Sequence, residues 1–270
     1  MKLTTLRRWA PWFALVVLFS IATSLLSWWQ FSRREERVAK NNLISQNYEA
    51  APIGIDQVNW VIDEKTSMAI LEWQPVTLTG KYLPEQTLLV RNRPLNGNPG
   101  FIQLTPFQLT TGEVMVIDRG WLPAGNDITK PQFNPIPDSA TKTLVVRLRA
   151  SEPNLGKEPV AGQLASIDIA SVAKLNPKLD FETRFYGRLA SEEPSSGELP
   201  LAMPKPSLDE GNHLSYALQW LLFGIMAIAA LIWAIQNDRR VRLEEQGKLA
   251  PKEKKLTQAD FDAAFEDQNQ

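Results

Sequence analysis

Leu214-Ser215-Tyr216-Ala217-Leu218-Gln219-Trp220-Leu221-Leu222-Phe223-Gly224-Ile225-Met226-Ala227-Ile228-Ala229-Ala230-Leu231-Ile232-Trp233-Ala234-Ile235 contains no charged side chain. At a helical rise of ~1.5 Å per residue this run spans about 33 Å, enough to cross the hydrocarbon core of a bilayer. A second uncharged block runs from Ala10 to Trp29, and no other stretch is comparable. Trp9, Trp12, Trp28, Trp29 and Trp233 stand at the ends of the two blocks, where amphipathic rings favour the headgroup region. The alternative, a pair of buried core helices, suits shorter apolar runs.

Working outward, Lys2, Arg7 and Arg8 precede the first block, as in a signal peptide or signal anchor. The block is too long for an ordinary signal core, and Ala22-Thr23-Ser24 lies inside it, so an uncleaved anchor is expected. Orientation follows from basic residues. Arg239, Arg240, Arg242 and Lys248 follow the second block, whereas Lys205 is the one basic residue shortly before it. Around the first block Arg33, Arg34, Arg37 and Lys40 offset Lys2, Arg7 and Arg8. Two spans place both termini on one side, so the second decides for both.

The expected order is a cytoplasmic N-terminus over 1–9, a membrane helix over 10–29, an extracytoplasmic β-rich domain over 30–212, a second helix over 213–236 and a charged cytoplasmic tail over 237–270. The fold class is thus a membrane protein with two transmembrane helices flanking a mainly antiparallel, barrel-like α+β domain. The bilayer is the first partner implied. A formal net charge of −1 argues against nucleic acid as a partner, because phosphate binding needs clustered Lys and Arg on one face. With no cysteine, disulfides, thiol nucleophiles and Cys-based zinc sites are excluded.

Residues 32–48 are charged and free of helix breakers, and they extend the first helix. Partial period-two patterns predict strands over Gln86–Arg93, Ile102–Phe107, Val114–Asp118 and Leu144–Arg149. Leu144, Val146 and Leu148 face one side, and Arg147 and Arg149 the other. Pro94-Leu95-Asn96-Gly97-Asn98-Pro99-Gly100 and Thr110-Thr111-Gly112 supply turns. Consecutive antiparallel hairpins curling into a small barrel are expected, then a short helix within Ser166–Leu175 and a returning strand over Phe181–Leu189. Ser191–Pro206 reads as an exposed linker. In the tail, Leu256, Phe261 and Phe265 could form one face of a partner-binding helix, while the composition favours disorder.

No phosphate loop, dinucleotide glycine fingerprint or nucleophile elbow occurs. Carboxylates such as Glu72, Glu113 and Asp118 show no spacing that singles out an acid/base pair, and an anchored enzyme is disfavoured. His213, the one histidine, stands where the second apolar run begins. Neutral imidazole is a good axial ligand for haem iron. On a helix His213, Tyr216, Trp220 and Gly224 fall on one stripe. An interfacial histidine beside a routine aromatic belt is the other reading. Arg119 either pairs within the domain or holds a carboxylate such as a haem propionate, whereas Gly80 and Gly120 serve backbone geometry.

Several strings occur in a telling order: Trp29-Gln30 with Arg33; Val76-Thr77-Leu78-Thr79-Gly80-Lys81-Tyr82; Val90-Arg91-Asn92-Arg93; Gly100-Phe101 with Leu104-Thr105-Pro106-Phe107; Val116-Ile117-Asp118-Arg119-Gly120-Trp121-Leu122-Pro123; and His213-Leu214-Ser215-Tyr216-Ala217-Leu218-Gln219-Trp220. In these motifs and in its two-anchor plan the chain resembles the surfeit locus protein 1 family of cytochrome c oxidase assembly factors. The resemblance is less clear over 124–206. It implies a non-enzymatic factor in a bacterial plasma membrane that handles haem a or stabilises oxidase subunit I during its insertion. Subunit I and other assembly factors or haem a synthase are the implied partners. His213 takes the place of the family's haem a-linked histidine, as the implied ligand of the haem iron. A scaffold that never touches haem is the alternative.

Overall fold

The computed structural model describes residues 3–58, 70–157 and 160–250. It divides into a helical unit, reaching Glu36 and resuming at Gly211, and a β-domain over Arg37–Glu210. Leu256, Phe261 and Phe265 lie outside the described residues.

The helical unit is built on α1 (Leu3–Asn47) and a C-terminal helix, His213–Glu245. The charged, breaker-free stretch after the first apolar block does continue α1. Only 11% and 6% of the most apolar windows of the two helices is buried by the protein. A soluble core helix would be mostly covered, so these are membrane spans flanking a β-domain.

The two helices run antiparallel, as their contacts show. Ser27 Oγ donates to the Ala217 carbonyl at 3.0 Å, and Trp9 Nε1 donates to Asp238 Oδ2 at 3.2 Å. Val16, Ser20, Thr23, Ser27 and Gln30 are among the more covered residues of one helix, and His213, Ala217, Trp220, Gly224, Ala227 and Leu231 among those of the other. Both sets alternate steps of three and four, the period of a two-helix seam. Small side chains let the backbones approach. Ala14 and Ala22, small residues that could have made such a contact, face outward instead.

The β-domain contains β1 (Ile53–Gly54), β2 (Pro75–Tyr82), β3 (Leu88–Val90), β4 (Gly100–Leu109), β5 (Val114–Pro123), β6 (Thr141–Ala150), β7 (Gln163–Leu164), α2 (Ile169–Leu175) and β8 (Phe185–Glu193). With the C-terminal helix numbered α3, the sheet order is β1-β2-β6-β8-β5-β4-β3-β7, and β2 also pairs with β4. That pairing closes β2, β6, β8, β5 and β4 into a barrel. Its interior is one apolar cluster that includes Leu78, Tyr82, Phe107, Ile117, Val146 and Phe185. The outer faces of β4 and β5 carry a second cluster with Leu104, Val116, Ile169 and Val172, covered by α2. Burial on both faces is why the period-two pattern of β4 and β5 is only partial, whereas Leu144, Val146 and Leu148 alternate with Arg147 and Arg149 on β6 as the sequence implied.

The sheet is mainly antiparallel, as expected, with β1–β2, β3–β7 and β5–β8 paired in parallel. Two expectations are corrected. The strand expected over Gln86–Arg93 shrinks to Leu88–Val90, with Pro84–Gln86 in a 3₁₀ turn and Asn92 at φ +58°. The expected linker at Ser191–Pro206 begins inside β8, and Leu201 exchanges backbone hydrogen bonds with Trp121 at 2.7 and 2.9 Å.

Candidate functional site

At one end of the helix pair, His213 Nδ1 and Gln30 Oε1 lie 2.8 Å apart. Gln30 ends a step of three along α1 from Ser27, and Ala217 lies four residues past His213 on α3, so this contact and the Ser27–Ala217 bond are successive rungs of the seam. The ring is partly covered. Beside it, Gly211 has φ +71°, and a Cβ built there would lie 3.4 Å from His213 Cδ2 and 3.5 Å from Nε2. Nε2 thus faces the side where Gly211 carries no side chain.

The stripe seen in sequence is partly divided. His213, Trp220 and Gly224 share the seam face, whereas Tyr216 is half exposed and turned aside. Trp220 meets Phe223 edge-on at 5.8 Å between ring centroids. At the opposite end, Asp238 accepts the Trp9 indole N–H and pairs with Arg8 at 2.8 Å and Arg242 at 3.1 Å.

Midway, a Cβ on Gly224 would lie 2.9 Å from Thr23 Oγ1. Gly224→Leu is expected to separate the helices and weaken their pairing by about 1–3 kcal/mol, the cost of overpacking. With no native cysteine, a Ser27→Cys/Ala217→Cys pair reports this directly: its disulfide yield should fall several-fold when Gly224→Leu is added. An unchanged yield would mean that the seam does not depend on Gly224.

Arg119 belongs to the β-domain. Gln103 pairs with Gly120 while Leu104 pairs with Asp118, which leaves Arg119 as the extra residue of a bulge. Its Nη1 donates to Gln103 Oε1 at 2.6 Å and to the Pro135 carbonyl at 2.8 Å, and its guanidinium lies 5.2 Å from the Tyr82 ring centroid. Only 2% of Arg119 is exposed. Its neighbour Asp118, fully buried, takes the ion pair, with Arg188 Nε 2.9 Å away. Burial likewise pushes the Tyr82 phenol well above its usual range, and the neighbouring Glu192 carboxylate adds to the shift.

Arg93, Gly100 and Trp121, from three of the other external motifs, come together. Trp121 Nε1 donates to the Arg93 carbonyl at 2.6 Å, and a Cβ on Gly100 would lie 2.4 Å from the Trp121 ring. Arg93 forms a two-pronged ion pair with Glu152. Burial would raise the Glu152 carboxyl, but Arg93 and the Ile167 N–H hold it below the usual range. These motifs build the domain and bring no acid/base pair together. Among the described residues there is no group of His, Asp and Glu suited to a metal ion. Sequence reasoning missed Gln30 as the partner of His213, although both stood in quoted motifs.

The family model described as the SURF1 family matches residues 17–225, from the first span into the second. A SURF1-like protein of Mycobacterium tuberculosis (strain ATCC 25618 / H37Rv) is 30% identical over 262 residues, covering 91% of each chain. One from Mycobacterium bovis matches to the same extent. A SURF1-like protein of Rickettsia prowazekii (strain Madrid E) is 25% identical over 233 residues, covering 83% of this chain and 88% of the relative.

Proposed function

We propose, because the chain belongs to the SURF1 family, which is associated with cytochrome c oxidase assembly, that it receives haem a at His213 and supports its insertion into oxidase subunit I. Haem a is cargo in this reading, and the chain catalyses no reaction. The observation that carries the proposal is the arrangement at His213: Nδ1 is engaged by Gln30, and Nε2 lies beside a glycine. An imidazole held through one nitrogen keeps the other for a metal. The donor set therefore fits a haem iron; Trp220 shares its helix face about two turns further along, and Tyr216 is turned aside.

The basic residues after Ile235 support cytoplasmic termini and an extracytoplasmic β-domain in a bacterial plasma membrane. Oxidase subunit I and other assembly factors or haem a synthase are the partners in this reading. Arg119, closed into the barrel end, is given no part in holding haem.

Full-length protein purified from cells that make haem a should carry a Soret band. His213→Ala should lower its haem occupancy by about tenfold or more, a loss of at least about 1.4 kcal/mol. Full occupancy in that variant would reject His213 as the ligand. Co-purification of subunit I without haem under any condition would leave only the scaffold reading.

A further inference from the structure

We infer that Gln30 is the positioning residue of this site: its side-chain carbonyl accepts the His213 Nδ1–H, which fixes the tautomer and leaves the lone pair on Nε2, facing Gly211. The inference deepens the haem a reading and rests on it for the purpose of the device, though the tautomer itself can be observed without haem.

Neutral imidazole carries one N–H and one acceptor nitrogen. A carbonyl oxygen 2.8 Å from Nδ1 requires the hydrogen there. The opposite arrangement, with the Gln30 amide donating to Nδ1, would put the hydrogen on Nε2 and remove the lone pair a metal needs. The Ser27–Ala217 rung and the buried Ala217 below hold the two side chains at one level. On the far edge of the ring, Gly211 accepts the positive φ and sets no side chain against Cδ2 and Nε2. Carbonyl support of a ligating histidine also raises its basicity and fixes the ring plane.

The single histidine makes the test direct. Full-length protein with ¹⁵N-labelled histidine, in detergent or nanodiscs, gives one pair of ring signals, which should show Nδ1 protonated and Nε2 bare. Gln30→Leu should shift the ring toward the Nε2–H tautomer and weaken haem a binding by roughly 10–100-fold, as loss of such a partner does. Gln30→Glu keeps an acceptor. It should retain the tautomer, restore binding and lower the midpoint potential of bound haem a relative to wild type. A wild-type ring protonated at Nε2 overturns the inference, and so does Gln30→Leu with unchanged ring signals. If the tautomer depends on Gln30 as stated but wild-type protein takes up no haem a, the positioning role stands and the haem a reading falls.

Discussion

Asp118→Ala is expected to destabilise the β-domain by about 3–5 kcal/mol, the usual loss when one member of a buried ion pair is removed. Asp118 is fully buried, its carboxylate 2.9 Å from Arg188 Nε and accepting the Gly120 N–H at 3.1 Å. Burial pushes the carboxyl up from its ordinary range, and Arg188 and Gly120 act against that. Without Asp118, the Arg188 side chain, 14% exposed, keeps its charge and loses its partner. Thermal unfolding or timed proteolysis of the full chain in detergent measures the loss. Asp118→Asn should recover little, because it leaves Arg188 equally uncompensated. Replacing both residues by leucine should recover most of the stability. A single-variant cost under about 1 kcal/mol would place the pair among weak surface ion pairs.

Gly80→Val should be at least as severe, by opening the barrel. Gly80 faces Lys142 of β6 on one side and Leu109 of β4 on the other, at the start of the short ladder that closes the sheet. A Cβ there would stand 2.1 Å from the Gln108 carbonyl oxygen and 2.9 Å from Leu109 Cα. Those are backbone atoms inside a ladder, so no side chain can swing away. Overpacking costs about 1–3 kcal/mol where neighbours can shift, and a rigid neighbour puts this variant above that range. Backbone amide exchange offers a specific readout: β2–β4 protection should be lost before β2–β6 protection. Equal loss along both edges would show general unfolding rather than failure of closure.

What could be read from the sequence was local. The spans declared themselves because a bilayer demands an unbroken apolar run. β6 showed its two faces through alternating leucine, valine and arginine. Asn96 and Gly97 marked their turn, and both have positive φ, +51° and +81°. A small barrel was expected from the consecutive hairpins, but which strands close it was not legible, because the close approach at Gly80 depends on Gln108, on a different strand. Nor was the parallel β5–β8 pairing, which joins Ile117 to Gly187. The bulge that separates Asp118 from Arg119 is a property of two strands together. The same holds for the site. His213 was conspicuous as a lone imidazole beside a membrane span, but its partner lies 183 positions away. Only antiparallel pairing of the helices reveals Gln30.

The contacts at the two ends of the helix pair act as a ruler. Trp9 meets Asp238 and Gln30 meets His213, and the 21 residue steps from Trp9 to Gln30 span about 31 Å of helix. Sliding one helix by a turn, about 5.4 Å, would break both contacts together. The depth of the imidazole in the bilayer is therefore calibrated from the far side of the membrane, by an acid and an indole that never approach it.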